Sequence, residues 1–143
     1  MKKLIYILVL ILLFSCKKDE EMSAIPVIDF ISISPSTAQE YTDDIIIIIS
    51  YADGDGDLGE NNPNIDNLFV EDNRNGIAYK YRIPELTPNG STIAIEGKFN
   101  IKINGTGITD GTASQKVNYD IYVKDRAENK SNTITTASIT IQQ

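Results

Sequence analysis

Five consecutive isoleucines, Ile45–Ile49, restrict the folding options of this chain more than any other feature. Two heavy atoms on Cβ stiffen each side chain and favour the pleated backbone of a strand. In a strand over 44–51, successive side chains point to opposite faces, so Ile45, Ile47 and Ile49 share one face and Ile46 and Ile48 the other. Only one set can fill a given core. The other needs cover from elsewhere in the domain, from a partner or from a membrane surface, and cover from within the domain is the preferred reading.

The pattern repeats along the chain from Ile25 onward. β-branched and aromatic runs alternate with turn residues, and no stretch carries a sustained helical stripe. Strands are predicted over 26–34, 44–51, 68–72, 77–83, 92–103, 116–124 and 133–141, with 92–103 read as one long strand or two short ones interrupted near Gly97. Ser34-Pro35 closes the first strand because proline offers no ladder donor. Asn75-Gly76 supplies the positive φ angles of a tight hairpin. In 77–83, Ile77, Tyr79, Tyr81 and Ile83 share one face, and in 116–124 Val117, Tyr119, Ile121 and Val123 do the same. The fold class expected is all-β.

Seven or eight short strands without helix or repeat favour an antiparallel β-sandwich. The segment Tyr119-Asp120-Ile121-Tyr122-Val123-Lys124-Asp125 resembles the penultimate strand of immunoglobulin-like and fibronectin III-like domains. That resemblance implies that Tyr119 ties a corner to the backbone; as a bare residue it reads equally as a core aromatic. Asp125-Arg126-Ala127-Glu128-Asn129-Lys130-Ser131-Asn132 resembles the Asp-x-Ala-Gly-Asn-x-Ser turn of bacterial immunoglobulin-like domains, with Glu128 in the place of glycine.

The N-terminus carries a different signal. Lys2 and Lys3 precede an apolar run from Leu4 to Phe14, closed by Ser15 and Cys16. Eleven residues rise about 16 Å as a helix, short of a hydrocarbon core of about 30 Å, so the run reads as an export signal and not a span. Leu13-Phe14-Ser15-Cys16 resembles the bacterial lipobox, and Cys16-Lys17-Lys18-Asp19-Glu20-Glu21 resembles the charged start of mature Bacteroidota surface lipoproteins. These resemblances imply a signal peptide over 1–15, lipidation at Cys16 and a charged tether over 16–24. They further imply an outer-membrane, cell-surface location for a domain over 25–143, held to the membrane through its lipid.

Charge and cysteine content exclude several functions. The precursor carries −7, which becomes −9 once Lys2 and Lys3 are removed. Its thirteen basic residues are scattered among twenty acids, so a nucleic-acid partner is not expected. Cys16 is the only cysteine and there is no histidine. Disulfides, Cys/His zinc sites and Cys-His or Ser-His-Asp nucleophiles are therefore ruled out. No enzyme is expected.

The remaining chemistry lies in Asp53-Gly54-Asp55-Gly56-Asp57-Leu58-Gly59-Glu60. Calcium takes six to eight oxygens, and aspartates at alternate positions, separated by glycines, can turn several carboxylates inward. The spacing begins like an EF-hand. It fails at Leu58, where that loop needs glycine, and at Asn64, where it needs a bidentate glutamate, and strands instead of helices flank it. The segment is similar to Asp-Gly-Asp-Gly-Asp-Leu-Gly loops of Bacteroidota surface lipoproteins, which implies a structural calcium. Asp53, Asp55 and Asp57 are the expected ligands, with Asp125, Asn129 or Asp72 as distant ones, because sandwich topology brings the loop after the second strand near the loop before the last.

Together these readings favour a calcium-stabilised binding or adhesion module with a protein or glycan ligand. A structural or assembly subunit of an outer-membrane complex is the alternative, with Ile46 and Ile48 as its docking clue. For a glycan platform the candidate aromatics are Tyr79, Tyr81 and Tyr122, and alternation speaks against it by assigning Tyr79 and Tyr81 to a buried face.

Overall fold

Backbone alternation becomes pairing wherever a β-branched run finds a partner. In a computed structural model describing residues 22–143, ten strands form: β1 (Val27–Ser34), β2 (Thr37–Gln39), β3 (Ile45–Asp53), β4 (Leu68–Asp72), β5 (Ala78–Tyr81), β6 (Ile95–Ile103), β7 (Ser114–Val117), β8 (Tyr119–Val123), β9 (Ile134–Thr135) and β10 (Ile139–Gln142). The expected signal peptide, Cys16 and the first part of the tether lie outside the described residues. No helix occurs among those described, hence none long and apolar enough to cross a membrane.

The strands form three small sheets with orders β1-β3-β6, β2-β10-β7 and β5-β4-β8-β9. All pairs are antiparallel except β2 with β10. The fold is thus all-β, as the alternation implied, but more finely divided. The short β2 was not expected. The single strands expected over 116–124 and 133–141 are each broken in two. Tyr119 exchanges bonds with Thr136, donating to its Oγ1 at 3.0 Å and accepting its amide at 2.9 Å, whereas Val117 pairs with Ile139. Two steps on one strand thus face three on the other, and this one-residue bulge interrupts the ladder at Asn118.

Gly97, by contrast, does not interrupt β6. The Tyr51 ring lies over it, and a Cβ at position 97 would stand 2.6 Å from the Tyr51 hydroxyl. The neighbouring aromatic takes the space that a side chain would fill, so the strand runs on.

Residues from all three sheets meet in one core. β3 contributes Ile45, Ile47 and Ile49, which are fully buried, packed with Ile28, Val70, Ile103, Tyr119, Ile121 and Ile141. Ile46 and Ile48 are half-buried on the opposite face, where they pair with Ser34 and Lys102 and with Ser32 and Asn100. The face assigned to 77–83 needs one correction. Ile83 is buried and Tyr79 and Tyr81 half-buried, but Ile77 is exposed at the turn end of the hairpin, where only its carbonyl engages β4 by accepting the Asp72 amide at 2.9 Å.

Tyr119 is a core aromatic. Its ring meets Tyr79 edge-on at 6.4 Å, and its hydroxyl lies 3.3 Å from the Thr106 hydroxyl and not on a backbone group. Burial pushes its pKa up to about 12.

Candidate metal centre

The site begins with strand register. Counting by twos from Ile45 through Ile47, Ile49 and Tyr51 reaches Asp53, the last residue of β3, so its carboxylate turns to the core side and is fully buried. The chain then bends sharply. The Leu58 amide donates to Asp53 Oδ2 at 2.7 Å, which closes the loop on the aspartate. Leu58 is itself fully buried and forms a bridge with Asp125.

Two glycines allow that bend. Gly56 has φ 71°, and a Cβ there would overlap the Ile93 carbonyl. At Gly54 the need is for space: the backbone of Met22 and Ser23 rests on it, and its amide donates to the Ser23 carbonyl at 2.7 Å. The Thr87 hydroxyl donates to the Gly56 carbonyl from the other side.

With the loop so held, one carboxylate oxygen from each of Asp53, Asp55 and Asp57 lies within 4.8 Å of the others. The Oδ1 atoms of all three are buried and have no hydrogen-bond partner among the described residues. Buried anionic oxygens without donors are costly, and three together also repel. The electrostatics record this. Burial pushes Asp53 up to about 6, opposed by the Leu58 amide and reinforced by Asp55 and Asp57. Asp57 is also raised, first by burial and then by the charges of Asp125 and Asp55, against the lowering effect of Arg126. Three converging hard oxygen ligands of this kind can hold a metal ion.

The more distant residues separate into two groups. Asp125 reaches the loop through its bridge to Leu58 and its charge on Asp57. Its carboxylate accepts the Asn129 amide at 2.8 Å and Asn129 Nδ2 at 2.9 Å. Asp125 and Asn129 thus bind each other beside the three aspartates. Glu128, in the turn between them and in the place where the resembling turn has glycine, has φ 65°, a conformation that favours glycine.

Asp72 is elsewhere. It pairs with Tyr119 at the start of β8, and Asp125 follows the end of that strand, about 20 Å away at a strand's rise. There Arg74 binds both Asp72 oxygens, with Nη2 at 2.7 Å from Oδ2 and Nε at 3.0 Å from Oδ1. The parts that sequence reasoning missed are Met22, Ser23, Thr87 and Ile93. They act through backbone groups or a single hydroxyl, and no residue pattern signals such a role.

The candidate aromatics do not gather into an open platform. Tyr79 packs on Tyr119, Tyr81 donates to the Lys102 carbonyl at 2.8 Å, and Tyr122 stacks on Phe69 with Lys130 above its ring at 3.9 Å. Comparison with protein-family models, curated proteins and solved structures finds no match for this chain.

Proposed function

We propose that this protein is a lipid-anchored, cell-surface β-module of immunoglobulin-like type, stabilised by calcium at Asp53, Asp55 and Asp57, that serves binding or adhesion and not catalysis. The observation carrying the reading is the trio of buried Oδ1 atoms without a donor among the described residues, a cost that a bound divalent cation removes. Asp53 meets the further requirement of a ligand aimed inward, since its side chain is fully buried in the loop's centre.

The immunoglobulin-like reading draws support from strand order. β1-β3-β6 corresponds to one sheet of such a sandwich, and β5-β4-β8-β9 to the other, with β7 and β10 continuing β8 and β9 past their bulge. The membrane anchor and surface location rest on Cys16 and the residues around it.

Calorimetric titration of the mature chain with calcium tests the cation. Heat of binding together with a rise in melting temperature is expected, and both should vanish when Asp53, Asp55 and Asp57 are replaced by Asn. No heat and no shift with millimolar calcium would remove the site. Fatty-acid labelling of wild type against Cys16→Ala tests the anchor separately, with label expected only in wild type.

A further inference from the structure

We infer that the acidic-loop end of the domain faces the membrane that anchors it, and that a divalent cation held there seats an apolar rim on the bilayer. This rests on the anchor at Cys16 and on the cation site proposed above. It reverses the usual expectation for a tethered module, in which the loop bearing the chemistry points outward.

The tether's reach holds the loop close to the lipid. The chain enters the domain at Met22 and Ser23, whose backbone lies directly on Gly54 of the loop. Five residues separate Cys16 from Met22, and the six fully extended steps between them span at most about 22 Å. The loop therefore cannot stand farther than this from the lipid. β3 runs from Ile45 at the far end to Asp53 at the loop, which is about 27 Å at a strand's rise. The far end, with Tyr41 and Ile45, is thus the distal end whenever the domain stands upright.

The surface around the loop is apolar in several places. Ile93 is 69% exposed and Ile25 51%, and Met22 and Leu86 are exposed as well. Three of these belong to segments packed on the loop: Met22 on Gly54, Ile93 on Gly56, and Leu86, whose amide nitrogen would lie 3.1 Å from a Cβ at Gly59. In these three the backbone makes the contact and the side chain is left exposed. The acidic centre thus has exposed aliphatic side chains on the segments packed against it, at the end nearest the lipid.

The two features oppose each other without a cation and cooperate with one. Three carboxylates brought to an anionic headgroup surface are repelled, and the chain as a whole is acidic, at −7. A divalent cation among them cancels most of that local charge. The exposed aliphatic side chains can then enter the boundary between headgroups and acyl chains, as interfacial apolar side chains do. The occupant of this surface is therefore the phospholipid bilayer.

The test uses mature chain 16–143 with Cys16→Ser, so that no acyl chain contributes. This chain should fold alone, because its core lies wholly between Ile28 and Ile141. Co-sedimentation is measured with vesicles of phosphatidylethanolamine and phosphatidylglycerol, with and without millimolar calcium. Calcium should raise the bound-to-free ratio by about tenfold or more. The double variant Leu86→Ser, Ile93→Ser should lose that rise while keeping its heat of calcium binding, since only side chains outside the loop change. Calcium heat without vesicle association, or association that survives the double variant, overturns the inference and leaves the cation site standing. Absence of calcium heat in the parent chain overturns the cation reading and the inference with it.

Discussion

The Leu58 amide and the Asp53 carboxylate, 2.7 Å apart, lock the acidic loop around a side chain that strand register has already turned inward. Only one Asp53 oxygen is satisfied in this way. The other faces Asp55 and Asp57, and the energetics of the loop follow from that division.

Replacing Asp53 by Asn should separate the two. The amide oxygen can still accept from Leu58, so the loop closes, but the charge that a cation needs is gone. Wild-type protein should gain about 2.7 kcal/mol at a calcium concentration one hundred times Kd. Asp53→Asn should gain far less, and thermal melts with and without calcium measure the difference.

Stability without divalent ions should fall as pH rises from about 4 to about 6. Asp53 is raised to about 6 in the folded state, so the native protein holds a proton that the unfolded chain has released in this window. The stabilisation is complete below the unfolded value and is lost as pH passes the folded one. Its slope is at most about 1.4 kcal/mol per pH unit for this group. Asp57 is raised as well and adds in the same direction. Calcium should remove or reverse the dependence, and Asp53→Asn should flatten its largest part. Urea denaturation across this pH range reads both.

Arg74 and Asp72 form a buried pair far from the loop, with side-chain exposures of 9% and 1%. Arg74→Ala strands a buried carboxylate and should cost about 3–5 kcal/mol. Asp72→Asn should be destabilising too, yet the rise in melting temperature with calcium should persist. Loss of that rise in Asp72→Asn would return Asp72 to the ligand set.

Glu128 holds φ 65°, a conformation that costs an L-residue about 1 kcal/mol. Its ion pair with Lys124, 2.9 Å long, is exposed and offsets little of this. Glu128→Gly should therefore stabilise the protein by up to about 1 kcal/mol in equilibrium denaturation, with calcium binding unchanged.

How much of this was legible in the residues depends on the range of the forces involved. The alternation of Ile45–Ile49 is dictated by backbone pleat alone, and it correctly divided a buried face from a half-buried one. The Asp-Gly alternation of 53–57 is equally local: glycine permits the bend, and adjacent aspartates must share whatever lies at its centre. The sequence by itself therefore determined an all-β chain with one acidic loop. Other outcomes depend on which strand meets which, and no residue pattern reports that. Pairing of β4 with β8 carried Asp72 to the end opposite Asp125 and gave it Arg74. A one-residue mismatch between β7–β8 and β9–β10 broke two expected strands into four. The return of Met22 and Ser23 onto Gly54 tied the chain's entry to the acidic loop. These are register and direction effects, set by long-range pairing and core packing, and only the tertiary structure decided them.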